Sequence, residues 1–136
     1  MAKLYTYVMI QNNSSANLKN VSWESTHGSY SQTPASNIAA GKSATALMKD
    51  PSGAAYGSEG WINYDSEDGG VTFSFCCSYE KGGNYAKADC KIPNVKCEIY
   101  ARTGAEALLA EAGGLKEGNV PTSDHPLAVL FVLSKD

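Results

Sequence analysis

Few residues in this chain have the type and spacing to do chemistry. His27 and His125 are the only histidines. Ser123-Asp124-His125-Pro126 contains the residue types of a hydrolytic triad, but consecutive turn residues cannot set a base on a nucleophile, and no nucleophile elbow is present. The segment reads as a plain turn. Asp65-Ser66-Glu67-Asp68-Gly69 faintly resembles a calcium loop, yet its spacing is not that of an EF-hand and no bidentate glutamate follows. It reads as a solvated hairpin tip. Gly82-Gly83-Asn84 lacks the Lys-Ser/Thr context of a phosphate loop. Cysteines stand at 76, 77, 90 and 97, with no Cys-x-x-Cys pair of the kind a zinc site or redox motif uses. Adjacent strand residues point to opposite faces, so Cys76 and Cys77 cannot share one core. Cys77 and Cys97 are expected to be buried, reduced thiols acting as small apolar groups; a disulfide from Cys90 to Cys77 or Cys97 is the alternative. No catalytic, metal or cofactor set emerges, and a protein without enzymatic chemistry is expected.

Aromatic residues are the distinctive feature. Eight Tyr, three Phe and two Trp populate the strands and nearby turns. Tyr and Trp rings are apolar with one polar handle, which suits a membrane interface, a sugar face or a protein partner as well as a sandwich core. Tyr30, Tyr56, Tyr79 and Tyr85 lie close to Gly- and Ser-rich turns, where exposure is favoured.

These rings must be positioned by strands. In residues 70–79, Val71, Phe73, Phe75, Cys77 and Tyr79 occupy one parity and Thr72, Ser74, Cys76 and Ser78 the other, the alternation of a half-buried strand. Asp65 through Gly70 joins it, as a turn rich in residues that tolerate positive φ, to the strand Gly60-Trp61-Ile62-Asn63-Tyr64. Further strands are expected over 3–10, 18–23, 42–48, 84–91 and 95–101, where Val95, Cys97, Ile99 and Ala101 share a face. Turn signals every eight to twelve residues predict a β-sandwich or barrel. One helix is expected at 103–112: Thr103-Gly104-Ala105-Glu106 has capping-box spacing, Ala105, Leu108, Leu109 and Ala112 form a stripe, and Gly113-Gly114 ends it. Residues 127–133 are unbroken apolar, which predicts a strand covered on both faces, either by the helix or by a second copy in a homodimer.

Length and charge bound the reading. The 136 residues fit one domain spanning 1–136, with 43% hydrophobic and only 18% charged residues. A net charge of −3 with scattered basic residues argues against nucleic acid, which is bound by clustered Lys and Arg. The N-terminal run Leu4–Ile10 is too short for a signal peptide, and no run reaches the ~18 apolar residues of a spanning helix. A chain made in the cytoplasm and released by a non-classical route to act on target membranes is the expectation. Asn12, Asn13 and Asn20 begin glycosylation sequons, which would matter only in a secreted protein.

Taken together, Asn20-Val21-Ser22-Trp23, Gly57-Ser58-Glu59-Gly60-Trp61, the turn Asp65–Gly70 and Phe73-Ser74-Phe75-Cys76-Cys77-Ser78-Tyr79 resemble the aegerolysins. Ser31-Gln32-Thr33-Pro34-Ala35-Ser36-Asn37 is similar to the small subunit of bacterial binary insecticidal crystal toxins, which is aegerolysin-like. The resemblance covers roughly residues 3–101. It implies an all-β, antiparallel β-sandwich that binds membrane lipid, often sphingolipid, and forms pores only with a larger protein partner. Carried over by position, lipid contacts fall on Trp23, Phe75 and Tyr79, the last two being Phe and Tyr where the family has Trp. The alternation places Phe75 on the buried face, which leaves Trp23 and Tyr79 as the stronger pair; Trp61 and Tyr85 complete the candidate set. The expected function is lipid binding as the small component of a cytolytic system. A carbohydrate-binding lectin and a protein-interaction module are the alternatives.

Overall fold

A computed structural model describes residues 4–50, 57–78, 84–103, 116–117 and 127–136. Among them the strands are β1 (Thr6–Asn13), β2 (Leu18–His27), β3 (Ser29–Gln32), β4 (Asn37–Ile38), β5 (Ser43–Lys49), β6 (Ser58–Ser66), β7 (Gly69–Cys77), β8 (Tyr85–Cys90), β9 (Val95–Thr103), β10 (Lys116–Glu117) and β11 (Leu127–Lys135). They form two sheets with orders β10-β9-β11-β1-β5-β3 and β4-β2-β6-β7-β8. The expected β-sandwich is the observed fold.

The alternation in β7 does what the sequence predicts: Val71, Phe73, Phe75 and Cys77 are at most 2% exposed, while Thr72 and Ser74 are half-buried on the other face. The β6–β7 hairpin closes at Ser66↔Gly69, with Gly69 at φ 145°. Across the interior the Phe73 and Phe131 rings meet with centroids 4.8 Å apart, so β7 of one sheet packs on β11 of the other. Each such fully buried ring stabilises the fold by roughly 1.5–3 kcal/mol over leaving it in water.

The apolar strand at 127–133 is covered on both faces, as expected, and within one chain. β11 lies between β9 and β1, and it runs parallel to β1, the one parallel pairing among the described residues. Leu127, Val129, Phe131 and Leu133 enter the main core; Ala128 and Leu130 join Tyr7 in a second cluster on the opposite face, flanked by Met9, Leu47 and Tyr100. Leu127, Ala128, Val129, Leu130, Phe131 and Leu133 are all buried within the single chain. Residues 104–112 of the expected helix lie outside the described residues, and Thr103 is the last residue of β9, opposite Leu127.

All four cysteines are free thiols. Cys77 is in the main core, whereas Cys76 points to the other face and is still buried. Cys97 is half-buried against the core, less enclosed than the sequence suggested. Burial first, then the Glu59 carboxylate, pushes the Cys76 thiol up to about 12 from its ordinary 9.0. Burial first also lifts Cys77 and Cys97 to about 12. A raised value favours the neutral thiol in the fold, so this contribution is fully present below pH 9 and is lost as pH climbs toward 12. Circular dichroism should therefore be flat near neutrality and show unfolding above pH 9. A thiol-specific dye should label Cys76 and Cys77 only in denaturant; prompt labelling of either in the native protein would contradict the burial.

Candidate functional site

The run Gly57-Ser58-Glu59-Gly60-Trp61 organises the region where the candidate aromatics gather. Gly57 takes φ 81°, the left-handed conformation that only glycine adopts without strain, to start β6. Ser58, fully buried, donates to the Leu4 carbonyl at 2.6 Å and receives the Thr6 hydroxyl at 2.8 Å, tying β6 to the first strand of the opposite sheet. Glu59 accepts from the Tyr85 hydroxyl at 2.5 Å. Gly60 is small because the Tyr30 hydroxyl and the Met48 sulfur lie where its side chain would be, 2.7 and 2.8 Å from an added Cβ.

Trp23 is the one large apolar side chain that is exposed among the described residues, at 40%. It pairs with the buried Ile62 and so shares the inner face of its sheet. Its exposure comes from the edge: β4 covers only Leu18 and Lys19, leaving the rest of β2 as the border strand. The strand expected over 18–23 would end at Trp23. β2 instead continues to His27, and the ring stands at the open side of the sandwich, mid-strand. At Gly28 (φ 83°) the chain crosses to β3 in the other sheet. That crossing brings Tyr30 against Trp23, edge-to-face at 4.9 Å, and against Phe75 at 6.5 Å. Phe75 is fully buried, which corrects its assignment as a lipid contact: its ring is the inner end of this stack and does not reach the surface of the folded protein.

Trp61 and Tyr85 are placed elsewhere, on the outer face of the same sheet. There Glu59, Cys76 and Tyr85 form one row across β6, β7 and β8, and Trp61, Ser74 and Lys87 form the next. Lys87 Nζ sits 5.0 Å from the centre of the Tyr85 ring. Burial first, then the bond to Glu59, raises the Tyr85 phenol above its ordinary value. Asn63 donates to Ser22 Oγ at 3.1 Å and accepts from Thr72, extending a polar ladder beside Trp61. The fifth candidate, Tyr79, lies outside the described residues, as does the Ser123–His125 turn. The structure thus joins Trp23 to Phe75 through Tyr30, and sets Trp61 and Tyr85 on the opposite face. Tyr30 itself was noted only as an aromatic near a turn; its role depends on a crossing at Gly28 that no local pattern announces.

A cleft of about 520 Å³ opens between the β1–β2 loop and the hairpin tip, lined by Ser15, Asn17, Lys19, Asp65, Glu67 and Asp68 among others. None of the described candidate aromatics, Trp23, Trp61, Phe75 and Tyr85, borders it. The hairpin tip expected to be merely solvated forms one wall of this polar recess.

No family model matches the chain, and no curated protein matches it by sequence. Solved structures do match by shape. The lipid binding protein Nakanori superposes with a TM-score of 0.69 at 15% identity, over 96% of this chain and 71% of that one. The RahU protein, solved in complex with a TRIS molecule, gives 0.66 at 12% identity over 97% and 95%. IP-1A from Alcaligenes faecalis gives 0.61 at 16% identity over 97% and 91%. All three have the aegerolysin fold, and the aegerolysin-like fold expected from the sequence is the one this chain adopts.

Proposed function

We propose that this protein binds membrane lipid peripherally, with Trp23 as the ring that enters the interface. The observation that carries the reading is a tryptophan, the one large apolar side chain exposed among the described residues, seated on half-buried Tyr30 at an open sheet edge. A Trp ring with a polar N–H prefers the headgroup level of a bilayer, and a seated ring loses little freedom on insertion. The shared fold with a protein described as lipid binding supports it. Among the described residues no helix is long and apolar enough to cross a membrane. With a net charge of −3 and no basic cluster, attraction to anionic headgroups cannot drive binding, so neutral or zwitterionic lipids, sphingolipid included, are the favoured class. In the finer reading, drawn from the resemblance, the chain is the small component of a cytolytic pair whose larger partner forms the pore. Tyr79 remains a second proposed contact.

Vesicle flotation tests this. Wild type should float with phosphatidylcholine–sphingomyelin–cholesterol vesicles, with little gain from added phosphatidylserine. Trp23→Ala removes ~1.5–3 kcal/mol of ring burial at the interface, or roughly ten- to a hundredfold in vesicle affinity. Its folding cost should be only ~1–2 kcal/mol, below the ~3–5 of a core aromatic. A variant that melts far lower while its folded fraction floats like wild type would sink the assignment.

A glycan-binding reading is favoured by one observation, the outer face where half-buried Trp61 and Tyr85 stand among Glu59, Asn63 and Lys87. Binding on a glycan array that is lost with Trp61→Ala and kept with Trp23→Ala would select it.

A further inference from the structure

We infer that Tyr30 is the positioning residue of the membrane contact: it fixes the Trp23 ring at the open edge of the sandwich, and lipid binding depends on that seat. The inference rests on the lipid-binding reading of Trp23. Three observations carry it. Tyr30 is the middle member of a continuous aromatic stack, 4.9 Å from Trp23 outside and 6.5 Å from fully buried Phe75 inside. Its hydroxyl, 3.1 Å from the Glu24 carbonyl and 3.3 Å from the Trp61 carbonyl, donates to the paired strands β2 and β6 of the opposite sheet. The space for that hydroxyl is provided by Gly60, whose added Cβ would stand 2.7 Å from the Tyr30 oxygen.

The mechanics follow from this geometry. Trp23 lies on a border strand that β4 covers only at Leu18 and Lys19, and among the described residues Tyr30 is the aromatic ring that meets it. Tyr30 belongs to the other sheet, on β3, and is anchored at both ends, by its backbone pairing with Met48 and by its hydroxyl. The Trp23 ring therefore leans on a fixed post that bridges the two sheets. A ring held in this way meets the bilayer without first losing rotamer freedom, and an ordered side chain saves ~0.5–1.5 kcal/mol on binding. Burial, then the Glu24 carboxylate, then Tyr64, raises the Tyr30 phenol above its ordinary value, so it stays a neutral donor throughout the physiological range.

The test uses Trp61→Phe as background, which leaves Trp23 as the single tryptophan. Tyr30→Phe keeps the ring, and Tyr30→Leu removes it. Three quantities are read: melting temperature, acrylamide quenching of Trp23 in the free protein, and flotation of the folded fraction on phosphatidylcholine–sphingomyelin–cholesterol vesicles. Tyr30→Leu should raise the quenching constant and weaken flotation by about fivefold to tenfold, the loss of a pre-ordered ring at the interface. Tyr30→Phe should restore both to within about twofold of the background, because the edge-to-face contact survives. Unchanged quenching in Tyr30→Leu would overturn the inference whatever the vesicles show. Raised quenching with undiminished flotation would also overturn it, since binding would then not need the seat. If Tyr30→Leu does not fold, Tyr30→Phe decides: raised quenching together with weakened flotation despite the retained ring would refute a seat made by the ring. Failure of the wild-type protein to float at all, with quenching in the background still responding to Tyr30, would instead strike the lipid reading of Trp23.

Discussion

A Gly57→Ala protein should melt roughly 10 °C or more below wild type, from a loss of about 2–5 kcal/mol. Two costs add. At φ 81° an alanine sits in the left-handed region, at ~1–2 kcal/mol. Its Cβ would also stand 2.2 Å from the backbone oxygen of Cys77, an atom locked into the β6–β7 pairing, and forcing room there costs a further ~1–3 kcal/mol. Gly41 separates the two. It has the same φ of 81°, yet an added Cβ meets nothing within 4 Å. Gly41→Ala should therefore show the conformational cost alone. Equal melting shifts for the two variants would mean that the approach of Cys77 carries no energy. The comparison bears on the site because Gly57 sets the start of β6, and β6 orients Glu59, Gly60 and Trp61.

The parts of the structure legible in the sequence are those where one physical rule acts locally. Val71, Phe73, Phe75 and Cys77 announced their buried face through period two, and Asp65–Gly70 announced its turn through residues tolerant of positive φ. Unbroken apolarity at 127–133 pointed to double-sided burial because a strand with a polar side would alternate. What stayed hidden depends on relations between distant segments. The parallel pairing of β1 with β11 joins residues more than a hundred positions apart, and no pattern in either strand states its direction. The polar residues 24–27 that end β2 lie beyond the strand expected over 18–23, because a border strand with both faces partly solvated has no apolar alternation to show. The Phe75 conflict is instructive: the resemblance offered it as a lipid contact, the alternation placed it inside, and the ring is fully buried. Local physics was the better guide to that side chain. Trp23 was found for its type, but its post, Tyr30, could be found only from the crossing at Gly28.

Replacing Asn12 should be among the most damaging single polar changes in the chain. Asn12 is fully buried, and its amide donates to the Ala16 carbonyl at 2.7 Å and the Ile38 carbonyl at 3.1 Å. Its side-chain oxygen receives the Ser14 backbone N–H at 3.1 Å and the Ser14 hydroxyl. One side chain thereby holds the β1–β2 loop and binds it to the end of β4. Asn12→Ala leaves two carbonyls without their donor, each costing ~1–3 kcal/mol, for a total near 3–5 kcal/mol. Asn12→Asp is the sharper probe. It preserves shape and the acceptor for Ser14, but turns a carboxylate oxygen toward two carbonyl oxygens that expect a donor. At neutral pH it should be at least as damaging as alanine. Because the buried carboxyl would favour its protonated form, its pKa in the fold would be raised, so stability is gained as pH falls and lost as pH rises through that value. The Asn12→Asp protein should thus recover part of its melting temperature near pH 4 relative to pH 7, while Asn12→Ala should not. Asn13→Ala, at the exposed neighbour, should stay within ~0.5 kcal/mol of wild type. An Asn12→Asp variant as stable as wild type at pH 7 would show that the two carbonyls do not need the amide. The same burial means that the amide of Asn12 is committed to the fold, so of the adjacent sequons only that of Asn13 presents an exposed side chain.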